Sequence, residues 1–95
     1  MIERHITFTV EPAKSQAFER FFADQYLPEA EKSPGYLRTE LVRSAADPTS
    51  YEMTFRWHDA DAAAGWRTSP VHEALQPALK AISAMGEIRI YEVVV

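Results

Sequence analysis

The sequence predicts an α+β fold in which an antiparallel four-stranded sheet carries its helices on one face, and three observations predict it. Apolar residues alternate at period two in the opening stretch, in two mid-chain segments and toward the C-terminal end. Two other stretches space them as the faces of amphipathic helices do. Proline, Pro-Gly and Asp-Pro steps punctuate the changes of period. The resulting order is strand, helix, strand, strand, helix pair, strand, with no internal repeat or low-complexity linker.

In "IERHITFTV", Ile2, Ile6, Phe8 and Val10 share one face and His5, Thr7 and Thr9 the other, and Arg4 is the one residue out of pattern. Pro12 suits a helix start, where a missing N–H costs nothing. Phe18, Phe21, Phe22, Gln25 and Tyr26 then follow at helical spacing. That helix is expected to end near Leu27, because Pro28 restricts the residue before it, leaving "PEAEKSPG" as a polar connection.

"YLRTELVR" and "SYEMTFRW" read as a hairpin around Asp47-Pro48, the first offering Leu37 and Leu41 to the core and the second Tyr51, Met53, Phe55 and Trp57. Arg38 and Glu40 lie on the opposite face, where unlike charges can pair across strands. Asp59 or Asp61 can cap an alanine-rich helix that must stop before Pro70. Ser69 and Pro70 then serve as cap and first residue of another helix, striped by Val71, Leu75, Ala78, Leu79 and Ile82 and closed by "MGE". "IRIYEVVV" is the last strand, rich in β-branched residues. The economical arrangement is the ferredoxin-like split βαβ.

The 95 residues are expected to form one domain spanning 1–95, with a core small enough to make self-association an expectation. A net charge of −4 and scattered basic residues argue against a nucleic-acid partner. No apolar run approaches the ~20 residues of a membrane span, and the opening stretch does not read as a secretory signal, so the cytoplasm is the expected compartment. Without cysteine there is no thiolate nucleophile or thiolate metal site. "HEALQ" lacks the second histidine of a zinc-protease helix, and no Gly-x-Ser-x-Gly elbow or Gly-rich phosphate loop is present. Hydrolase, nucleotide and metal readings therefore fail, and no cofactor is expected.

The Pro34-Gly35 turn into the second strand, Trp57 ending the third, Trp66, and the Ser-x-x-His of Ser69 and His72 are carried over nearly the whole chain in the order shown by one family. In these features the sequence resembles the antibiotic biosynthesis monooxygenases, dimeric α+β barrels in which two subunits set their sheets face to face. The resemblance implies a homodimer with a pocket between each sheet and its own helices. It further implies a cofactor-independent monooxygenase acting on an electron-rich aromatic such as a phenol, anthrone or quinol. Alternatives within the resemblance are a non-catalytic dimeric domain that binds a small apolar aromatic ligand, and a haem-binding or haem-degrading protein. The haem-degrading and anthrone-oxidising branches use an asparagine near the pocket, and this chain contains none.

His72 falls at the third helical position after the Ser69 cap, at the edge of the apolar stripe, where the helix dipole favours a neutral imidazole. Set beside the resemblance, it is the candidate catalytic group, with Trp66 as an aromatic wall. Tyr51, Phe22 and Trp57 are candidate substrate-binding residues, although a domain of this size needs about this many aromatics to fold. His5 among threonines and His58 before Asp59 read as surface and turn residues.

Overall fold

The computed structural model describes residues 1–95 as a four-stranded antiparallel sheet of β1 (Ile2–Thr9), β2 (Tyr36–Arg43), β3 (Ser50–Trp57) and β4 (Ala84–Glu92), in the order β2-β3-β1-β4. A short 3₁₀ turn (Pro12–Lys14) leads into α1 (Ser15–Phe21), a π-helical turn (Phe22–Tyr26) and α2 (Leu27–Glu31), while α3 (Ala60–Arg67) and α4 (Pro70–Ile82) lie between β3 and β4. This is the ferredoxin-like α+β fold. No helix is long and apolar enough to cross a membrane.

Strand alternation divides the sheet as the sequence implies. Ile6 and Phe8 of β1, Val10 just beyond it, and Tyr51, Met53, Phe55 and Trp57 of β3 are buried beneath the helices, with Phe18, Phe21, Phe22, Tyr26, Ala63, Trp66 and Leu79 closing over them. On the uncovered face, Glu3 lies opposite Arg56, and His5 opposite Thr54. The charge pairing takes two forms: Arg56 reaches Glu3 across strands at 2.7 Å, whereas Arg38 and Glu40 pair along β2 at 2.6 Å.

Three boundaries differ from expectation. The first helical segment does not stop at Leu27 but runs through Pro28 to Glu31. The backbone widens into the π turn, with the Leu27 N–H donating to the Phe22 carbonyl five residues back, and that register change accommodates a proline ring that a regular α-helix would resist. In β2 the register shifts between Tyr36 and Arg38, so Leu37 turns outward and Thr39 takes an inward place beside Leu41. The "MGE" segment belongs to β4, which begins at Ala84 and ends at Glu92, leaving Val93–Val95 beyond it. Gly86 makes this early start possible: it sits where the β1–β4 register shifts, a Cβ there would collide with the Thr7 hydroxyl, and that hydroxyl accepts from the Glu87 N–H at 2.7 Å.

Gly35 fixes the other junction that matters for the site. Its φ of 81° is a left-handed value natural only to glycine, and its close approach to Ala62 seats the Pro-Gly turn against α3. Its carbonyl accepts from His58 N–H at 2.8 Å, just before the helix begins.

Candidate functional site

The segment Gly65–Leu75 is a junction of two helices held by capping. Asp59 opens α3 by accepting from the Ala62 N–H at 2.8 Å, which settles the choice between Asp59 and Asp61. Trp66 lies on the buried face near the end of that helix. The Ser69 hydroxyl then works in both directions, donating to the Trp66 carbonyl at 2.8 Å and accepting from the His72 N–H at 3.1 Å. One side chain thereby ties the end of α3 to the start of α4. In consequence the His72 ring stands edge-on to Trp66, with centroids 5.3 Å apart at 80°.

Tyr26, delivered by the π turn, completes a cluster with these two rings. Its centroid is 5.7 Å from that of Trp66 and 6.3 Å from that of His72. Trp66 stacks at 6.4 Å on Trp57, which stacks in turn on Phe55, so the third strand forms an aromatic floor. The Trp57 indole N–H is buried without a partner. Gln76, one turn beyond His72, donates to the His72 carbonyl at 3.2 Å and lies 3.3 Å from its Nε2; with the amide nitrogen as donor, Nε2 is the accepting nitrogen of a neutral ring.

Electrostatics favour that neutral form. Burial, then the positive charges of Arg4 and Arg67, hold the His72 imidazole below its ordinary pKa of 6.5. The helix start points the same way, but the two guanidinium groups are the part that sequence reasoning missed. Burial also raises the Tyr26 phenol, against which hydrogen bonds from Trp66 and Gln76 and the Arg4 charge pull downward.

Arg4 is the residue out of pattern in the first strand, and it faces inward. It is 7% exposed, pairs in register with Phe55 on one side and Ile90 on the other, and its Nε has no hydrogen-bond partner. The signal in the sequence was the break in alternation itself: a charged residue at a position that should be apolar. Tyr26 was one of the helical and strand aromatics that could line a cavity or fill the core, whereas Gln76 carried no signal, because its meaning depends on what it meets across the fold.

The remaining sequence candidates are spread along the core. Phe22 stacks on Tyr26 at 5.9 Å, which joins it to the cluster, but it also lines a separate cavity of about 330 Å³ with Glu19, Leu41, Arg43 and Tyr51. Tyr51 belongs to that second cavity. Its hydroxyl donates to Glu19, and its ring packs on Phe18 at 5.0 Å. It stands six positions before Trp57 on β3, roughly 20 Å of extended chain, toward the other end of the strand from Trp66 and His72. His5 lies on the uncovered face between Glu3 (2.7 Å) and Glu52 (3.2 Å), and His58 is exposed beside Asp59. No three histidine, aspartate or glutamate side chains gather as a metal site would require.

Comparison with known proteins agrees with this architecture. The sequence profile of the family described as antibiotic biosynthesis monooxygenase matches residues 1–78. A single-residue variant of SnoaB, a cofactor-independent oxygenase from Streptomyces nogalater, is similar with a TM-score of 0.86 and 27% identity, over 98% of this chain and 92% of that one. A candidate antibiotic biosynthesis monooxygenase from Nitrosomonas europaea gives a TM-score of 0.84 at 19% identity, with 100% of both chains covered. A conserved protein from Methanosarcina mazei Go1 gives 0.84 at 22%, over 95% of this chain and 89% of that one. The last two likenesses show a shared fold. Among curated proteins none is similar enough in sequence to count as a relative. With a family profile covering most of its length, the chain belongs to the antibiotic biosynthesis monooxygenase family.

Proposed function

We propose that this protein is a cofactor-independent monooxygenase acting on an electron-rich aromatic such as a phenol, anthrone or quinol. The observation that carries the reading is the half-buried, neutral His72 held edge-on to Trp66 and beside Tyr26 by a single serine cap. Family membership and the description of SnoaB as a cofactor-independent oxygenase support it.

In this reading Trp66, Tyr26 and Trp57 bind and orient a flat ring, and His72 takes a proton from its hydroxyl or activated methylene. The resulting substrate anion supplies the electrons. It passes one to dioxygen, the radical pair recombines through a carbon–oxygen bond, and the hydroperoxide loses water. For an anthrone, a CH₂ group and O₂ become C=O and H₂O, so both oxygen atoms are accounted for and no external reductant enters. Phe22 extends the apolar wall, and Tyr51 lines the neighbouring cavity.

The same reading makes the molecule a homodimer, with the uncovered faces of two sheets set together. Its support is the pattern of exposure: Val42 of β2, opposite Glu52, and Tyr91 of β4, opposite Glu3, lie on that face and are both more than 40% exposed in the single chain. Sedimentation equilibrium at micromolar concentration is expected to give twice the mass of 10.8 kDa, and a monomer there removes this part.

The test of the activity is oxygen uptake by purified protein with anthrones and hydroquinones, run beside a haem titration followed by absorbance. Oxygen consumption above the uncatalysed rate, matched by one product per O₂, is the expected result. Tight binding of an aromatic without uptake would make the protein a binding domain instead, and a haem-dependent spectrum would assign it to the haem-binding branch.

A further inference from the structure

Arg38, Arg43, Arg56 and Arg89 each pair with a glutamate at the surface. Arg4, although far more buried than any of these, takes part in no ion pair, and its Nε is both buried and unpartnered. An arginine withdrawn from water without a counter-ion is costly and is unusual unless something else supplies the negative charge. Arg4 also borders a cavity of about 330 Å³, lined as well by Ile2, Asp61, Ala63, Arg67 and Ile90, a size at the small end of ligand pockets. Arg67 comes from the last turn of α3, next to Trp66, and is likewise without an ion pair. Asp61 lines the cavity but pairs with neither arginine, and sits in the first turn of α3, where the helix dipole favours its charge.

We propose that Arg4 and Arg67 form an oxyanion-binding end of the Trp66–His72 site, so that the aromatic ligand is held as an anion through a ring carboxylate or phenolate oxygen. The proposal deepens the reading above and rests on it for the aromatic character of the ligand. The link to that site runs through packed side chains: Arg4 neighbours Phe55 in register, the Phe55 and Tyr26 ring centroids lie 5.9 Å apart, and Tyr26 packs in turn on Trp66 and His72. Guanidinium groups suit the task because their planar donors match a carboxylate two bonds at a time and remain charged when buried. The direction of the His72 shift is consistent with this field, since both arginines disfavour a third positive charge beside them. A ligand anion would relieve Arg4 of its uncompensated charge and place the electron-rich ring against the aromatic floor.

Both tryptophans of the protein, Trp57 and Trp66, lie in the cluster, so their fluorescence reports binding there. Titration with 2-naphthoate and its uncharged analogue 2-naphthamide tests the carboxylate case. Wild type is expected to bind the acid about 10-fold or more tighter, the scale of a charge-assisted hydrogen bond. Arg4→Gln and the exposed Arg67→Gln are each expected to reduce that preference, and Arg4→Lys to retain part of it. For the phenolate case the probe is 4-nitrophenol below its own pKa, where bound phenolate appears as added colour in wild type and not in Arg4→Gln. Because Arg67→Gln lies at the surface, it keeps the test open if Arg4→Gln fails to fold. The proposal is overturned if neither probe shows a preference for the anion, or if the preference survives both glutamine variants. Selective anion binding without oxygen uptake would leave this inference standing and remove the oxygenase; uptake from a neutral anthrone with no anion preference would do the reverse.

Discussion

The two faces of the sheet treat charge in opposite ways. On the uncovered face Glu3 is bonded by both Arg56 and His5, and His5 also meets Glu52, so each charge there has a partner drawn from the sheet itself. Beneath the helices, Arg4 alternates with those residues along the same strand yet has no partner; the Tyr26 and His72 rings, whose shifts come first from burial, feel its charge without forming an ion pair with it. The uncovered face is electrostatically complete in the single chain. The covered face is incomplete, and that is where an external group has something to contribute.

The largest effect that separates the faces is catalytic. His72→Ala is expected to lower oxygen-dependent turnover by about 10²-fold or more, the usual scale for a positioned proton-transfer group, measured by oxygen electrode on a substrate found as described above. His5→Ala, on the other face, is expected to leave turnover unchanged. Trp66→Phe is expected to raise KM more than it lowers kcat, because the ring binds rather than reacts. Equal losses from His72→Ala and His5→Ala would erase the distinction.

Stability is expected to respond with opposite signs. Arg4→Met keeps much of the side-chain volume and removes an unpartnered buried charge, so the ligand-free protein is expected to gain about 1–3 kcal/mol in chemical denaturation. Glu3→Gln strips the charge partner from Arg56 and His5 on the partly exposed face and is expected to cost less than about 1 kcal/mol. A destabilised Arg4→Met would mean that the guanidinium is satisfied within the chain after all.

How much of this was legible in the sequence depends on the range of the cause. The strands, the hairpin at Asp47-Pro48 and the Ser69 cap follow from alternation and capping, which act within a few residues, and they are present in the fold. Pro28 misled because the helix continues only through a π turn, and that turn is sustained by the burial of Phe21, Phe22 and Tyr26 against the sheet, which neighbouring residues cannot announce. Arg4 was visible as a break in the pattern, but its significance depends on Tyr26, Arg67 and His72, which come from three distant segments. Tyr51 and Trp57 look equivalent along the third strand, yet strand length puts them at different ends of the core.

The capping serine offers a smaller effect on the same face. Ser69→Ala removes the acceptor for the His72 N–H and the donor to the Trp66 carbonyl, and is expected to cost about 1 kcal/mol in thermal or chemical unfolding. Since the cap also sets the angle between the two rings, ligand affinity should fall with it. Ser69→Thr, which restores the hydroxyl, is expected to recover most of the stability. A variant with wild-type affinity and a lowered melting temperature would reduce the serine to a helix cap.

The smallest effect is a pH dependence, and its sign follows from His72. Its folded-state pKa lies below the unfolded value of about 6.5, because burial and the Arg4 and Arg67 charges oppose protonation, with Tyr26 packed on it and un-ionised in this range. As pH falls below that value the unfolded chain takes up the proton first, so the folded state loses stability until its own pKa is passed; above it, both states are neutral and the effect vanishes. Glu3 acts in the same direction, but only lower down, since its carboxyl is held below its ordinary 4.5 by bonds from His5 and Arg56 and its contribution is lost as pH drops through that region. The interval between about 6.5 and 4.5 therefore isolates His72 from Glu3. Melting temperature measured across that interval is expected to fall more steeply for wild type than for His72→Gln, which cannot ionise. Restoring charge balance at the site should flatten the wild-type curve: in Arg4→Met one of the opposing charges is gone, the imidazole rises toward its ordinary value, and the difference from His72→Gln should shrink. If Arg4→Met leaves that difference untouched, burial and Arg67 set the histidine, and the unpaired Arg4 is electrostatically separate from it.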